Sequence, residues 1–225
     1  MIEETRFEST VDGEPVPGLL WTPSSATGPL PAVLLGHGRT ADKRMLDTLA
    51  HAFVRRGLAA VAIDAPGHGE RRVDPDADWP RPDAGQAARE WRAGVGMLVD
   101  HGRIDGSALG YWGVSMGASL GISFLAESPG IRAAVLGLMH PNWPAPPGDR
   151  IRADARRLTC PVLFLVNWDD QLVPVAQAGE LFDLIGSTDK RLHAYPGGHG
   201  QLPQEAITAS EEFLTVRLEG APGAG

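Results

Sequence analysis

The sequence lacks several features that define whole classes of proteins. Its 225 residues include one cysteine, Cys160, so no disulfide can form within the chain, and the apolar residues that follow favour a buried thiol. No apolar run approaches the length of a membrane span. Residues 1–6 are acidic and do not have the basic and apolar segments of a signal peptide. These absences predict a cytoplasmic protein that does not act at a membrane.

Basic charge and ligand-binding motifs are also scarce. The 20 Lys and Arg residues are outnumbered by 28 Asp and Glu, and the net charge of -8 argues against a nucleic-acid partner. The seven histidines show no His-Glu-x-x-His spacing, and neither Gly-x-x-x-x-Gly-Lys nor Gly-x-Gly-x-x-Gly after the first strand occurs. We therefore expect no metal and no cofactor. The expected partner is a small-molecule substrate of a monomer or homodimer.

What is present suits one globular domain. Hydrophobic residues make up 43% of the chain, which is enough for a single large core. No linker rich in Pro and Gly divides the sequence, so residues 1–219 are predicted to form one domain. Residues 220–225 contain only Gly, Ala and Pro, and they are predicted to be a disordered tail.

The order of apolar segments predicts an α/β fold. Continuous apolar runs are typical of parallel strands buried on both faces. Helical patterns with one apolar face lie between several of these runs, and residues 5–21 alternate as an antiparallel hairpin would. The prediction is a mostly parallel, doubly wound sheet with helices on both faces and the hairpin at its edge. The predicted strands are 30–36, 58–63, 108–112, 133–138 and 161–166, with a short one at 191–195, and the predicted helices are 42–57, 83–101, 175–185 and 203–218.

A candidate nucleophile lies where a strand is predicted to turn into a helix. Residues 113–117 read Gly-Val-Ser-Met-Gly, between the strand 108–112 and a helical pattern over 118–126. Glycines two positions on either side of Ser115 allow a sharp turn and close packing of the helix. This context favours a serine hydroxyl presented at the tip of the turn.

An acid and a base follow later strands. In parallel sheets, ligands bind at the carboxyl ends of the strands. Asp169 and Asp170 come after the strand 161–166, and His199 lies in a glycine-rich loop after the last strand. A serine hydroxyl needs a base to take its proton, and histidine suits that role near neutral pH. We assign Asp170 as the carboxylate that orients His199, with Asp169 as the alternative and as a turn or cap residue.

The remaining site residues are assigned from neighbouring loops. The oxyanion formed on attack needs hydrogen-bond donors, and the backbone N–H groups of Met116 and Arg39 are predicted to supply them. We expect His37 to hold the loop structure rather than to act as a base. Arg39, Arg71 and Arg72 are expected to face solvent or to form ion pairs rather than to bind an acidic substrate. The predicted substrate pocket is lined by His37, Trp79, Met139 and Trp143.

Together these motifs resemble the α/β-hydrolase family over residues 15–218. The chain is similar to its compact esterases and to the dienelactone-hydrolase-like or prolyl-oligopeptidase-like group, although serine rather than cysteine stands at position 115. The resemblance implies an eight-stranded sheet and an acyl-enzyme mechanism. The short connection over 139–159 argues against a large cap domain. The matching motifs are Gly36-His37-Gly38, residues 64–69 (Asp-Ala-Pro-Gly-His-Gly), residues 113–117, Asp170 followed by Val173-Pro174, and His199.

The expected function is therefore that of a serine hydrolase acting on a small or medium carboxylic ester. The same three side chains could also serve acyl transfer, thioester hydrolysis or amide cleavage. A non-hydrolytic enzyme on this fold is the remaining alternative.

Overall fold

The computed structural model describes residues 1–74, 76–142 and 148–219, which fold around one eight-stranded sheet. The strands are β1 (Ile2–Val11), β2 (Glu14–Pro23), β3 (Leu30–Gly36), β4 (Ala59–Ile63), β5 (Ile104–Val114), β6 (Ile131–Gly137), β7 (Val162–Asn167) and β8 (Lys190–Tyr195). The α-helices are α1 (Asp47–Arg55), α2 (Ala84–Asp100), α3 (Met116–Ala126), α4 (Gly148–Ala155), α5 (Val175–Leu184) and α6 (Gln204–Glu219), and short 3-10 turns span Lys43–Leu46 and Gly69–Arg71.

The order of strands across the sheet is β1-β2-β4-β3-β5-β6-β7-β8. Strands β3 to β8 run parallel to one another, whereas β2 is antiparallel to both β1 and β4. The predicted mostly parallel sheet with an N-terminal hairpin at its edge is confirmed. The eight strands implied by the family resemblance are also present.

Both faces of the central strands are buried, because successive side chains of a strand point to opposite sides. Leu34 and Tyr111 belong to a core cluster that includes residues of α2, α3, α4 and α5. Leu35 and Trp112, their neighbours in sequence, belong to the opposite cluster with residues of α1 and α6. This two-sided burial explains why the strands read as continuous apolar runs rather than as alternating ones.

The structure extends or adds elements where polar residues weaken the sequence pattern. Strand β5 begins at Ile104 rather than at residue 108, and its first part carries Asp105, whose carboxylate accepts hydrogen bonds from the N–H and hydroxyl groups of Ser107 at 2.8 Å. Helix α4 was not predicted. Its burial rests on Ile151 and Ala155, which are too few apolar positions to show a helical period.

The cysteine lies directly before β7, partly buried against the core. Burial raises the pKa of the Cys160 thiol to about 11, because an apolar environment disfavours the thiolate. The predicted buried thiol agrees with this partly buried position.

Candidate active site

Ser115 lies in a sharp turn between β5 and α3. Its backbone has φ 56° and ψ -122°, a left-handed conformation that is strained for a residue with a side chain. The N–H group of Ser115 donates to the carbonyl of Gly137 at 3.0 Å, and its own carbonyl accepts from Ser119 N–H at 3.0 Å. The turn is therefore anchored on both sides, at the carboxyl edge of the sheet.

Close packing of glycines beneath the nucleophile holds this turn. A Cβ atom at Gly117 would lie 2.2 Å from the carbonyl oxygen of Gly36, so only glycine lets α3 approach the end of β3. The hydroxyl of Tyr111 donates to the carbonyl of Gly117 at 2.7 Å. Burial raises the pKa of Tyr111, which keeps the phenol protonated as a donor.

We expect Gly117→Ala to lower the free energy of unfolding by about 3 kcal/mol, because the added methyl group must push backbone atoms apart. Gly179→Ala is a matched control in α5, where no heavy atom lies within 4 Å of the position that the added methyl group would take. That control should gain about 0.5–1 kcal/mol from the higher helix propensity of alanine. Urea unfolding of both variants measures the difference. Equal stability of the two variants would contradict the packing argument.

Asp170, His199 and Ser115 form a continuous chain of contacts. The carboxylate Oδ2 of Asp170 lies 2.8 Å from Nδ1 of His199, and Nε2 of the same ring lies 2.9 Å from the Ser115 hydroxyl. The Asp170 side chain is 1% exposed, and its Oδ1 accepts from the N–H groups of Leu172 at 2.8 Å and Val173 at 2.9 Å. With the carboxylate ionised, Nδ1 carries the proton and Nε2 is the acceptor that faces the serine.

The two adjacent aspartates have different positions. Asp169 accepts from the N–H of Gly197 at 3.3 Å and donates its own N–H to the Gly197 carbonyl at 3.1 Å. Asn167 donates its side-chain amide to the carbonyls of Gly198 at 2.8 Å and Gln201 at 3.1 Å. Asp169 and Asn167 thus hold the glycine-rich loop, while Asp170 contacts the histidine. The sequence analysis did not assign this role to Asn167, although a polar residue at the end of an apolar strand can indicate a site residue.

The loop after β3 is pinned to the end of β4 by His37. Its Nε2 accepts from the N–H of Ala65 at 3.0 Å, and its Nδ1 donates to the carbonyl of Gly38 at 2.8 Å. Burial lowers the pKa of His37, which fits a neutral ring with one donor and one acceptor. Arg39, the next residue but one, is placed at the edge of the cleft above Ser115. Met116 is the first residue of α3, so its N–H lies at the free N-terminus of a helix.

Because the pKa of His37 is lower in the folded than in the unfolded chain, the unfolded state binds an extra proton in acid. The stabilisation is complete above the unfolded pKa of about 6.5 and is lost as pH falls towards the folded pKa. We therefore expect the free energy of unfolding to decrease below about pH 6.5, and His37→Gln to flatten this dependence. Urea unfolding between pH 5 and 8 tests it. If the free energy of unfolding of the variant falls with pH as steeply as that of the wild type, His37 is excluded as the source of the pH dependence.

A buried ion-pair network holds the loop that follows β4. Lys43 Nζ donates to Asp64 at 2.5 Å and to Glu70 at 2.6 Å, and the side chains of Lys43 and Asp64 are 2% and 0% exposed. The hydrogen bond from Lys43 holds the pKa of Glu70 below its usual value. The N–H groups of Lys43 and Glu70 also donate to the Asp64 carboxylate at 3.0 Å. These contacts satisfy the buried charges and fix the segment that carries Ala65, the partner of His37.

The cleft at the nucleophile has a different lining from the predicted one. His37 and Met139 are buried in packing contacts, and Trp79 stacks on His68 with ring centroids 5.4 Å apart. None of these three lines the cleft, and Trp143 lies outside the described residues. The cleft has a volume of about 600 Å³. Its lining is formed by Gly38, Arg39, Thr40, Val114, Ser115, Leu138, His140, Leu172, His199 and Gly200.

The difference between the predicted and the observed lining has a simple geometric cause. The side chain of Met139 points into the core, whereas its neighbours Leu138 and His140 border the cleft. Leu138 has φ 49°, a left-handed turn directly after β6. Burial lowers the pKa of His140, and its Nδ1 accepts from the N–H of Asn142 at 3.2 Å. Leu138, His140 and Leu172 were not assigned to the pocket, although Leu138 ends a predicted strand and the other two follow the end of one.

In the part of the chain that the structure describes, no group of three or more His, Cys, Asp or Glu side chains is arranged to hold a metal ion. Within the same residues, no helix is long and apolar enough to cross a membrane.

Comparison with known proteins identifies the family. A family model described as serine aminopeptidase, S33, matches residues 27–138. A cold-adapted esterase from an Arctic intertidal metagenomic library is 35% identical, with a TM-score of 0.86 over 96% of this chain and 94% of that one. The chain belongs to the α/β-hydrolase family. It is accordingly a hydrolase of this fold.

Other relatives are more distant in sequence. A monoacylglycerol lipase of Mycolicibacterium smegmatis is 25% identical over 284 residues, covering 96% of this chain and 96% of that protein. An uncharacterised protein of Mycobacterium tuberculosis is 28% identical over 194 residues, covering 79% of this chain. The match spans 66% of the length of the latter protein.

Proposed function

We propose that this protein is a serine hydrolase that cleaves a small or medium carboxylic ester through an acyl-enzyme intermediate. The observation that carries the proposal is the contact chain from Asp170 through His199 to the Ser115 hydroxyl, with distances of 2.8 and 2.9 Å. A nucleophile, a base and an orienting carboxylate within hydrogen-bond reach form the arrangement required for acyl transfer.

In the proposed reaction, Nε2 of His199 takes the proton from Ser115 as the serine oxygen attacks the ester carbonyl. The N–H groups of Met116 and Arg39 donate to the oxyanion of the tetrahedral intermediate, and such donors are worth roughly 3 kcal/mol each. The protonated ring then gives its proton to the leaving alcohol, and the acyl group stays on the serine. Water attacks next with His199 as base, which releases the acid and restores the hydroxyl.

Asp170 supports both steps without itself taking up a proton. It keeps Nδ1 of His199 protonated, so that Nε2 is free to accept, and it stabilises the positive ring that forms during attack. Because the carboxylate is buried and receives two backbone hydrogen bonds, its position is fixed before substrate binds.

The cleft supports an ester of modest size. Val114, Leu138 and Leu172 offer apolar surface beside the nucleophile, and the glycines of the neighbouring loops leave the serine approachable. The relatives named as an esterase and a lipase act on esters, which favours ester over thioester substrates. The description of the matching family model as an aminopeptidase favours amide cleavage as the second candidate.

Hydrolysis of p-nitrophenyl acetate and butyrate, compared with the matching p-nitroanilides, tests the proposal. We expect turnover of the esters, faster than of the anilides, and an initial burst of nitrophenol from the acyl-enzyme. A fluorophosphonate should stop the reaction by transferring its phosphonyl group, with loss of fluoride, to the peptide that contains Ser115. A folded protein that ignores the esters, the anilides and the fluorophosphonate would overturn the assignment and favour non-hydrolytic chemistry.

A further inference from the structure

The side chain of Arg39 is a cation at the edge of the cleft. Its guanidinium donates to the carbonyl of Trp79 at 2.9 Å, which fixes its position. Among the described residues it forms no ion pair. The rest of the chain cannot supply an acidic side chain, because residues 75, 143–147 and 220–225 contain neither Asp nor Glu.

The neighbouring arginines are used inside the protein. Arg71 pairs with Glu90 through two hydrogen bonds of 2.7 and 2.8 Å. Arg72 lies 3.8 Å from the ring centroid of Trp79 and donates to the carbonyl of Ala77 at 2.7 Å. Both arginines hold the segment between β4 and α2. Arg39 differs from them, since it lines the cavity that contains Ser115.

The cleft has no acidic lining residue to offset this charge. The carboxylate that contacts His199, that of Asp170, is 1% exposed, and both of its oxygens already accept hydrogen bonds. The surface that meets a ligand is therefore neutral or cationic in a chain of net charge -8. Repulsion of an anion by the distant acidic surface is screened beyond about 8 Å at physiological ionic strength, so the local cation decides the interaction.

We propose that Arg39 binds a carboxylate of the ester substrate, so that preferred substrates are monoesters that retain a free acid group. This inference rests on the proposed ester hydrolysis. A guanidinium can hold a carboxylate through two parallel hydrogen bonds. With its backbone N–H directed at the ester oxygen and its side chain at the free acid, one residue positions both ends of the substrate. The free acid belongs either to the acyl part or to the alcohol part.

Paired esters distinguish these two sources. The p-nitrophenyl monoester of glutaric acid is compared with p-nitrophenyl valerate, and 4-acetoxybenzoate is compared with its methyl ester. We expect the wild-type protein to favour the acidic member of at least one pair in kcat/KM. In Arg39→Gln this preference should fall about fivefold, the scale of a partly exposed ion pair. Arg39→Lys should keep most of it.

The measured quantity is the ratio of kcat/KM for the acidic ester to kcat/KM for its neutral counterpart. A ratio is needed because a change at Arg39 also alters the predicted oxyanion loop and can slow both reactions. Arg55→Gln is the matched control, since Arg55 is exposed on α1, away from the cleft, and its replacement changes the net charge equally. An unchanged ratio is expected for this control. Equal ratios in the wild type and Arg39→Gln would overturn the inference.

A binding measurement separates failure of the inference from failure of the proposed function. Ser115→Ala cannot form an acyl-enzyme, so monomethyl glutarate and dimethyl glutarate can be titrated into it by calorimetry. We expect tighter binding of the monoester, lost when Arg39→Gln is added. If the wild type cleaves no ester but this preference persists, ester hydrolysis is wrong and carboxylate binding at Arg39 stands. If the wild type cleaves esters with no preference for the acidic ones, and Ser115→Ala binds both compounds equally, the role of Arg39 is rejected. The proposed ester hydrolysis then still stands.

Discussion

Ser115→Ala is expected to lower kcat for p-nitrophenyl butyrate by about a millionfold, the scale reached when the nucleophile of an acyl-transfer triad is removed. The hydroxyl is the atom that lies 2.9 Å from Nε2 of His199, and alanine offers no other nucleophile in its place. The backbone should be unaffected, because alanine has the same Cβ atom in the same left-handed turn. Steady-state hydrolysis and circular dichroism measure the two effects separately.

The control for this variant is Ser128→Ala. Ser128 lies after α3, and its buried hydroxyl has no hydrogen-bond partner among the described residues. Its removal should leave turnover and fluorophosphonate labelling at the wild-type level. If Ser115→Ala retained wild-type turnover, another nucleophile would be responsible and the acyl-enzyme on Ser115 would be excluded.

Asp170→Asn is expected to lower kcat by about ten-thousandfold while the fold is preserved. The N–H groups of Leu172 and Val173 both point at Oδ1, so an asparagine must place its carbonyl oxygen there. Its NH₂ group then occupies the position of Oδ2 and donates to Nδ1 of His199. The ring is forced to carry its proton on Nε2, where it can no longer accept the proton of Ser115.

The neighbouring Asp169→Asn provides the matched comparison. Its Oδ2 accepts one hydrogen bond of 3.3 Å from Gly197, which an asparagine oxygen can also accept. We expect a loss of less than about tenfold in kcat, from loosening of the histidine loop. If Asp169→Asn were the more damaging change, the carboxylate that orients His199 would have to be reassigned to Asp169.

The sheet and the three contacting side chains could be predicted because their signals are local. Each central strand is buried on both faces and therefore reads as an unbroken apolar run, as in residues 161–166. The rule that parallel strands present their carboxyl ends at one edge then brings Ser115, Asp170 and His199 together. Even the choice between two adjacent aspartates agreed with the contact to the histidine.

The lining of the cleft could not be predicted in the same way. Whether Leu138 or Met139 faces the cleft depends on the left-handed backbone at Leu138, and no residue type marks that turn. Trp79 was assigned to the pocket because its segment follows a strand end, but its ring stacks on His68 and contacts Arg72. Side-chain direction in irregular segments is decided by long-range contacts, to which hydrophobic periodicity is insensitive.

The single thiol offers a chemical probe for opening of the native state. With the pKa of Cys160 raised to about 11, only about one thiol in a thousand is ionised at pH 8 in the folded protein. In the unfolded chain, where a cysteine has its ordinary pKa of about 8.5, that fraction rises to about a quarter. A molecule in which the segment before β7 has come away from the core therefore reacts with iodoacetamide roughly 250-fold faster than a folded one. With a single thiol in the chain, any alkylation faster than the folded state allows reports opening at one known place, just before β7.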